Sequence, residues 1–211
     1  MILVTFAVPF ESADFRRRPI AKKVRIVHTG VGEEAARVAL ELAVCEELPS
    51  LVVASGFAGG LREEHAIGNL LVQGSPAPAG FSTARFGTSR EVLATSEAKR
   101  SFREATGADA VEMEGQGIRQ VCEAAGVPLL IARAVSDRLE DDLGLPPEQL
   151  ARLSAHPIRE MPGLVLTLLR SAERRRNFLR MVRDCRKAQA ALGEGLERLL
   201  LLLQEGDPVG R

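Results

Sequence analysis

Leu129-Leu-Ile-Ala-Arg-Ala-Val135 is an almost unbroken apolar run. Such a run fits a strand buried on both faces, the habit of parallel sheets covered by helices rather than of half-solvated antiparallel ones. The residues before it agree. Gly115 to Ala125 reads as a helix, and Gly126 stands where a left-handed residue closes one. Further upstream the alternation recurs. Ile2 to Val8 reads as a first buried strand and Val24 to Thr29 as a second. Gly30-Val31-Gly32 then turns into a helix from Glu33 to Leu48, with Val38, Leu42 and Cys45 at helical spacing and Pro49 as its stop. Leu51 to Ala54 is a third strand, closing in a glycine-rich turn from Ser55 to Gly60. Strands alternating with helices predict an α/β fold: a single-domain, three-layer αβα sandwich with a mixed, mostly parallel central sheet.

The rest of the chain extends this plan. Ile67 to Val72 reads as a fourth strand, residues 74–82 as a Pro, Gly, Ser and Ala loop, and the segment around Arg90 to Ala94 as another strand. Thr95 or Ser96 can cap a helix over Glu97 to Thr106, and Asp109 to Met113 is a short strand. Residues 138–162 are polar and proline-bearing, with a short helix over Glu148 to Leu153. From Gly163 to about Glu205 the pattern is a long C-terminal helix, with a break expected at Gly193 or Gly195. The expected organisation is one α/β domain over 1–162 and a helical extension over 163–211 packed on it.

Composition narrows the function classes. A chain of 211 residues sustains one sizeable core. Its 28 Lys and Arg balance 28 Asp and Glu, and Trp and Tyr are absent, so neither global charge nor aromatic platforms favour nucleic acid. Cys45, Cys122 and Cys185 are widely spaced and read as buried free thiols of a reducing compartment. His28, His65 and His156 show no ligand spacing, so neither metal nor other cofactor is expected. The apolar N-terminus lacks a basic lead and meets Glu11 and Asp14 at once, unlike a signal peptide. No apolar run approaches the ~20 residues of a membrane span. The expected location is cytoplasmic.

Ligands of such sheets gather at the carboxyl ends of the strands, which directs attention to two glycine segments. Gly30-x-Gly32-x-x-Ala35 imitates a dinucleotide fingerprint, but the next strand ends Val53-Ala54-Ser55 without the required carboxylate, which favours a tight turn. Ser55 to Gly60 would let backbone approach a planar ligand closely; a purely structural turn reads equally well.

Three segments resemble one family. Ser55-Gly-Phe-Ala-Gly-Gly-Leu61 resembles the TGSAGGL turn of the methylthioadenosine/S-adenosylhomocysteine nucleosidases, Ala110-Val-Glu-Met-Glu-Gly115 their AVEMEA motif, and Ala132-Arg-Ala-Val-Ser-Asp137 their VRAISD motif. Order and spacing agree, over most of residues 1–137. Glu91 to Lys99 and the arginine-rich C-terminal helix look most like the hopanoid-associated phosphorylases of the same superfamily. The resemblance implies a purine nucleoside phosphorylase-like fold, a homodimer, and cleavage of the bond between a purine and its ribose. It assigns Asp137 to protonating the leaving base and Glu11 to positioning the attacking water. It assigns Glu114 to the ribose hydroxyls and Met113 to the sugar. Phe57, Ala58 and Gly59 fall beside base and sugar, and Leu93 where the family stacks a phenylalanine. Glu112 and Ser136, within the same motifs, join the substrate-binding set. This chain departs from the family in its short stretch over 74–86, its abbreviated segment after Glu11, and Phe57 in place of a serine, which leaves the 5′ substituent open.

These roles make chemical sense. The N-glycosidic bond breaks through an oxocarbenium-like state, the problem glycosidases solve with two carboxyl groups. A purine leaves poorly as an anion, so an acid at the end of a buried strand, as Asp137 is, has a use. A carboxylate near the sugar steadies its positive charge. The plainer readings are a turn cap for Asp137 and solvated strand-end carboxylates for Glu112 and Glu114. Arg133, inside the apolar run, needs a buried partner, and Glu112 is the candidate for a structural pair. Phosphorylases of this superfamily hold phosphate with an arginine and a serine where this chain has Ala54 and Phe57, which favours water as nucleophile. Arg16, Arg17, Arg18 and Arg62 keep phosphorolysis open. The C-terminal helix, with Arg170, Arg174, Arg175, Arg176, Arg180, Arg183 and Arg186 interleaved with Leu169, Phe178, Leu179, Met181 and Val182, suits either packing on the sheet or a partner, or peripheral contact with an anionic membrane.

Overall fold

A computed structural model describes residues 1–74, 79–155 and 157–205. Its strands are β1 (Ile2–Phe6), β2 (Arg25–His28), β3 (Leu51–Gly60), β4 (Leu70–Gln73), β5 (Ser82–Thr83), β6 (Phe86–Thr88), β7 (Ala110–Glu112) and β8 (Leu129–Asp137). They form one sheet in the order β2-β1-β3-β8-β4-β5. β1, β3 and β8 run parallel, and β4 lies antiparallel to β8. The last two residues of β3 pair antiparallel with β7, which pairs in turn with β6. The helices are α1 (Pro9–Ser12), α2 (Glu33–Glu46), α3 (Ser96–Thr106), α4 (Gly115–Ala125), α5 (Pro147–Ala155), α6 (Pro157–Leu169) and α7 (Ala172–Glu205).

The alternation of strand side chains builds two cores. Leu3, Val52, Ala54 and Ile131 face α2 and α4, meeting Ala36, Leu40, Ile118 and Val121. Val4, Val53, Leu130 and Ala132 face the other way, onto Leu192, Leu196, Leu199 and Leu200 of α7. The result is the three-layer αβα sandwich expected from the sequence.

Several local readings are corrected. The glycine-rich segment after Ala54 is strand, not turn: Ser55 to Ala58 pair with Ala132 to Val135, and these bonds override turn-like composition. The buried face of α2 is Ala36, Leu40 and Ala43, whose small alanines admit close packing; Val38, Leu42 and Cys45 face solvent. Of the cysteines, then, only Cys122 is buried, and Cys185 is half-buried. β4 starts at Leu70 because Gly68, at φ 87°, and the Asn69 side chain, bonded to the Ala66 N–H, build a turn first. Residues 90–94 form no strand. The strand beside β7 is Phe86–Thr88, after which the Ser89 hydroxyl donates to the Glu91 carbonyl and redirects the chain. The C-terminal helix breaks at Arg170 and Ser171, not at Gly193 or Gly195. Those glycines sit inside α7, where a Cβ would collide with Asp14 and Leu70. Residues 75–78 of the expected loop, His156 and the tail 206–211 lie outside the described residues.

Candidate active site

The carboxyl ends of β1, β3 and β8, with β7 and the turn after it, enclose a cavity of about 290 Å³. The ten residues that the resemblance assigned to catalysis or substrate binding all line it: Glu11, Phe57, Ala58, Gly59, Leu93, Glu112, Met113, Glu114, Ser136 and Asp137. The sheet therefore gathers on one pocket carboxyl groups that are far apart in sequence.

Glu11 follows β1 on the single turn of α1. Its Oε2 accepts the N–H groups of Ala7 (2.9 Å) and Val8 (3.3 Å), and its Oε1 accepts that of Phe57 on β3 (2.9 Å). These bonds fix the carboxyl group across two strands. Burial lifts its pKa to about 7; Arg133 opposes the rise and Glu114 adds to it. Gly56 makes room for this arrangement. At φ 147° it holds a conformation unusual for other residues, and a Cβ there would stand 2.7 Å from Arg133 Nη1 and 2.8 Å from Glu11 Oε1.

Arg133 is fully enclosed among Glu11, Glu112 and Glu114. Its Nη2 donates to Glu112 Oε2 at 2.8 Å, and its Nη1 lies 3.2 Å from Glu114 Oε2. Glu112 is wholly engaged by protein donors. Its Oε2 also accepts the N–H groups of Glu114 (2.9 Å) and Gly115 (2.5 Å), and its Oε1 the hydroxyl of Thr88 (2.6 Å). It ties β6, β7, β8 and the start of α4 together, the structural pairing anticipated for Arg133.

Glu114 leaves β7 in a helical conformation (φ −116°, ψ −24°) and precedes α4. Its Oε1 accepts the Gly32 N–H at 3.0 Å. The fingerprint-like turn thus serves as an anchor for Glu114, placing the carboxyl at the positive end of α2. Burial still raises its pKa, with Arg133 opposing.

Asp137 ends β8. Its Oδ1 accepts the Ser136 hydroxyl at 2.8 Å, and its Oδ2 is ion-paired with Lys99 of α3. Gly59 lies directly beneath: a Cβ there would meet Asp137 Oδ2 at 3.1 Å. Lys99 escaped the sequence reading of the site. The available signal was its place three residues before Phe102, on the inward face of α3.

Apolar groups complete the walls. Val92 and Leu93 come from the irregular segment before α3, Leu143, Leu150 and Leu153 from the region of α5, and Met181 and Cys185 from α7. Phe57 meets Phe10 edge-on, with centroids 6.0 Å apart. The arginines considered for an anion site lie elsewhere: Arg62 pairs with Asp109, and Arg18 with Asp14 and Glu197. Arg16 and Arg17 are on the surface.

The phosphorylase superfamily profile matches residues 4–74 and 79–159. The 5′-methylthioadenosine/S-adenosylhomocysteine nucleosidase of Shewanella halifaxensis is 24% identical, over 57% of this chain and 71% of that protein. Among solved structures, apo 5′-methylthioadenosine nucleosidase of Arabidopsis thaliana superposes with a TM-score of 0.67 at 15% identity, covering 100% of this chain and 96% of that one. Futalosine hydrolase of Helicobacter pylori gives 0.66 at 14% identity, covering 97% of each. At these identities the likeness between structures is one of fold.

Proposed function

The chain belongs to the phosphorylase superfamily, and from that premise we propose that it hydrolyses the N-glycosidic bond of a purine nucleoside, methylthioadenosine or a related 5′-substituted adenosine. The observation that carries this reading is the convergence of Glu11, Glu114 and Asp137 on one cavity. Asp137 passes a proton to the departing purine. Glu114 holds the ribose hydroxyls and steadies the developing positive charge, with Met113 against the sugar. Glu11, whose pKa near 7 suits proton transfer at neutral pH, orients water and takes its proton. Water rather than phosphate is supported by Ala54 and Phe57 on β3 and by the engagement of Arg18 and Arg62 with carboxylates. The names of the relatives support the substrate class.

Base release from methylthioadenosine, adenosine and inosine, with and without phosphate, tests the reading. Turnover of at least one without phosphate is expected, with Asp137→Asn lowering kcat by about 10²-fold or more. Strict dependence on phosphate would make the enzyme a phosphorylase, and nucleoside binding without cleavage would make it a non-catalytic homologue. The family resemblance also carries a homodimer into the proposal. Exposed Met161, Val165, Leu166 and Leu169 beside exposed Arg170, Arg174, Arg175 and Arg176 support peripheral contact with anionic lipid. Light scattering and salt-dependent pelleting with anionic vesicles test these two points.

A further inference from the structure

Lys99 is fully buried, yet it lies on a short helix whose other charged residues reach solvent. A lysine has three N–H donors, and all three are engaged. One meets Asp137; the others meet the backbone carbonyls of Arg138 at 2.7 Å and Asp141 at 2.9 Å. The two carbonyls belong to the chain just beyond Asp137, so the ammonium fixes both the carboxylate and the turn that carries it. Such burial is costly unless every donor is satisfied and the charge is matched, as here.

We propose that Lys99 is the positioning residue for Asp137 and the reservoir of the proton that Asp137 hands to the departing base. This rests on the hydrolytic reading above. An ammonium paired with a carboxylate holds one transferable proton. As the C–N bond breaks, its electron pair stays with the purine. Asp137 gives a proton to a purine nitrogen and is resupplied from the Lys99 ammonium, leaving a neutral amine. Water adds to the sugar carbon and loses a proton to Glu11, and bulk solvent returns a proton to the pair by way of Asp137, which lines the cavity. The neighbouring charges are accounted for. The Asp141 carboxylate is held by Arg138 and Arg180, and the Asp142 carboxylate accepts the Ser96 N–H. From α7, Asp184 pairs with Arg183, and the Cys185 thiol is pushed up to about 12 by burial first and then by Asp137, Asp184 and Glu11. The Ser136 hydroxyl is already given to Oδ1. Among the described residues, Lys99 is the cation that Asp137 pairs with.

The test is the pH profile of kcat and KM for methylthioadenosine in the full-length protein and in Lys99→Met and Lys99→Arg. Without a reservoir, Asp137 must collect its proton from solution. Both variants should therefore lose rate as the pH rises over a range where the wild type stays level, with KM within about threefold. Arginine is the stricter variant, because it keeps the positive charge but cannot release its proton. It also decides the matter if Lys99→Met fails to fold by circular dichroism. A uniform loss at every pH, or full rescue by arginine, overturns the proposal and leaves the hydrolytic reading intact. A wild type that cleaves no nucleoside removes both.

Discussion

Glu11 shows how one side chain couples fold and chemistry. Its carboxyl is buried against backbone N–H groups and raised from 4.5 to about 7. The folded protein therefore holds a proton that the unfolded chain has released between those two values. For a raised carboxyl group the sign is that stability falls as pH climbs from 4.5 through about 7, by up to ~3 kcal/mol from this group. Glu11→Gln removes that titration, so its melting temperature relative to wild type should improve from pH 5 to pH 8; an unchanged difference would mean that the carboxyl is not protonated on folding. In the proposed reaction the same group must be ionised to act as a base, so the wild-type rate should fall as pH drops below about 7. Among the residues themselves the sequence was most legible for location, since Glu112, Met113, Glu114, Ser136 and Asp137, singled out by their motifs, all line the cavity. It was least legible for Lys99, whose meaning comes only from three acceptors supplied by β8 and the loop after it.

At the scale of elements, α3 carries Lys99 and depends on its cap. The Thr95 hydroxyl accepts the Ala98 N–H at 3.2 Å, and Gly107, at φ 64°, closes the other end. Thr95→Ala should cost about 1 kcal/mol in chemical denaturation. Because the cap lies one turn before Lys99, kcat should fall more than KM rises; a loss of stability with unaltered kinetics would show that α3 does not position the pair. Element types were readable wherever periodicity and punctuation agreed, as for α4 with Gly126 and for β8. Of the apolar residues noted in the arginine-rich part of α7, Phe178 and Met181 pack inward whereas Leu179 is exposed. They were misread where pairing partners decide: Ser55 to Gly60 has the composition of a turn, but β8 and β7 supply ladder bonds that no local pattern reveals. In α2 the larger apolar residues drew attention to the wrong face, because the close approach to α4 selects alanine and glycine. A Cβ on Gly117 would run into the Glu33 carbonyl.

For the whole molecule, the sheet order places β1, β3 and β8 side by side, and so brings Glu11, the Phe57 N–H and Asp137 to one rim. α7 crosses beneath and contributes Met181 and Cys185, so the C-terminal helix belongs to the cavity as much as to the core. The three-layer architecture could be read from strand and helix alternation, whereas the apolar roof from Val92, Leu143, Leu150 and Leu153 depends on a tertiary arrangement with no sequence signature. The central step of the proposed reaction is attack of water on the sugar carbon while the base departs protonated. Incubation with methylthioadenosine in heavy-oxygen water, free of phosphate, tests this most directly by mass spectrometry. The proposed hydrolysis predicts free adenine and a methylthioribose that carries the heavy oxygen at its anomeric carbon, with neither formed by Asp137→Asn at a comparable rate. Intact nucleoside after prolonged incubation with methylthioadenosine, adenosine and inosine alike, or a sugar phosphate formed only once phosphate is added, would contradict it.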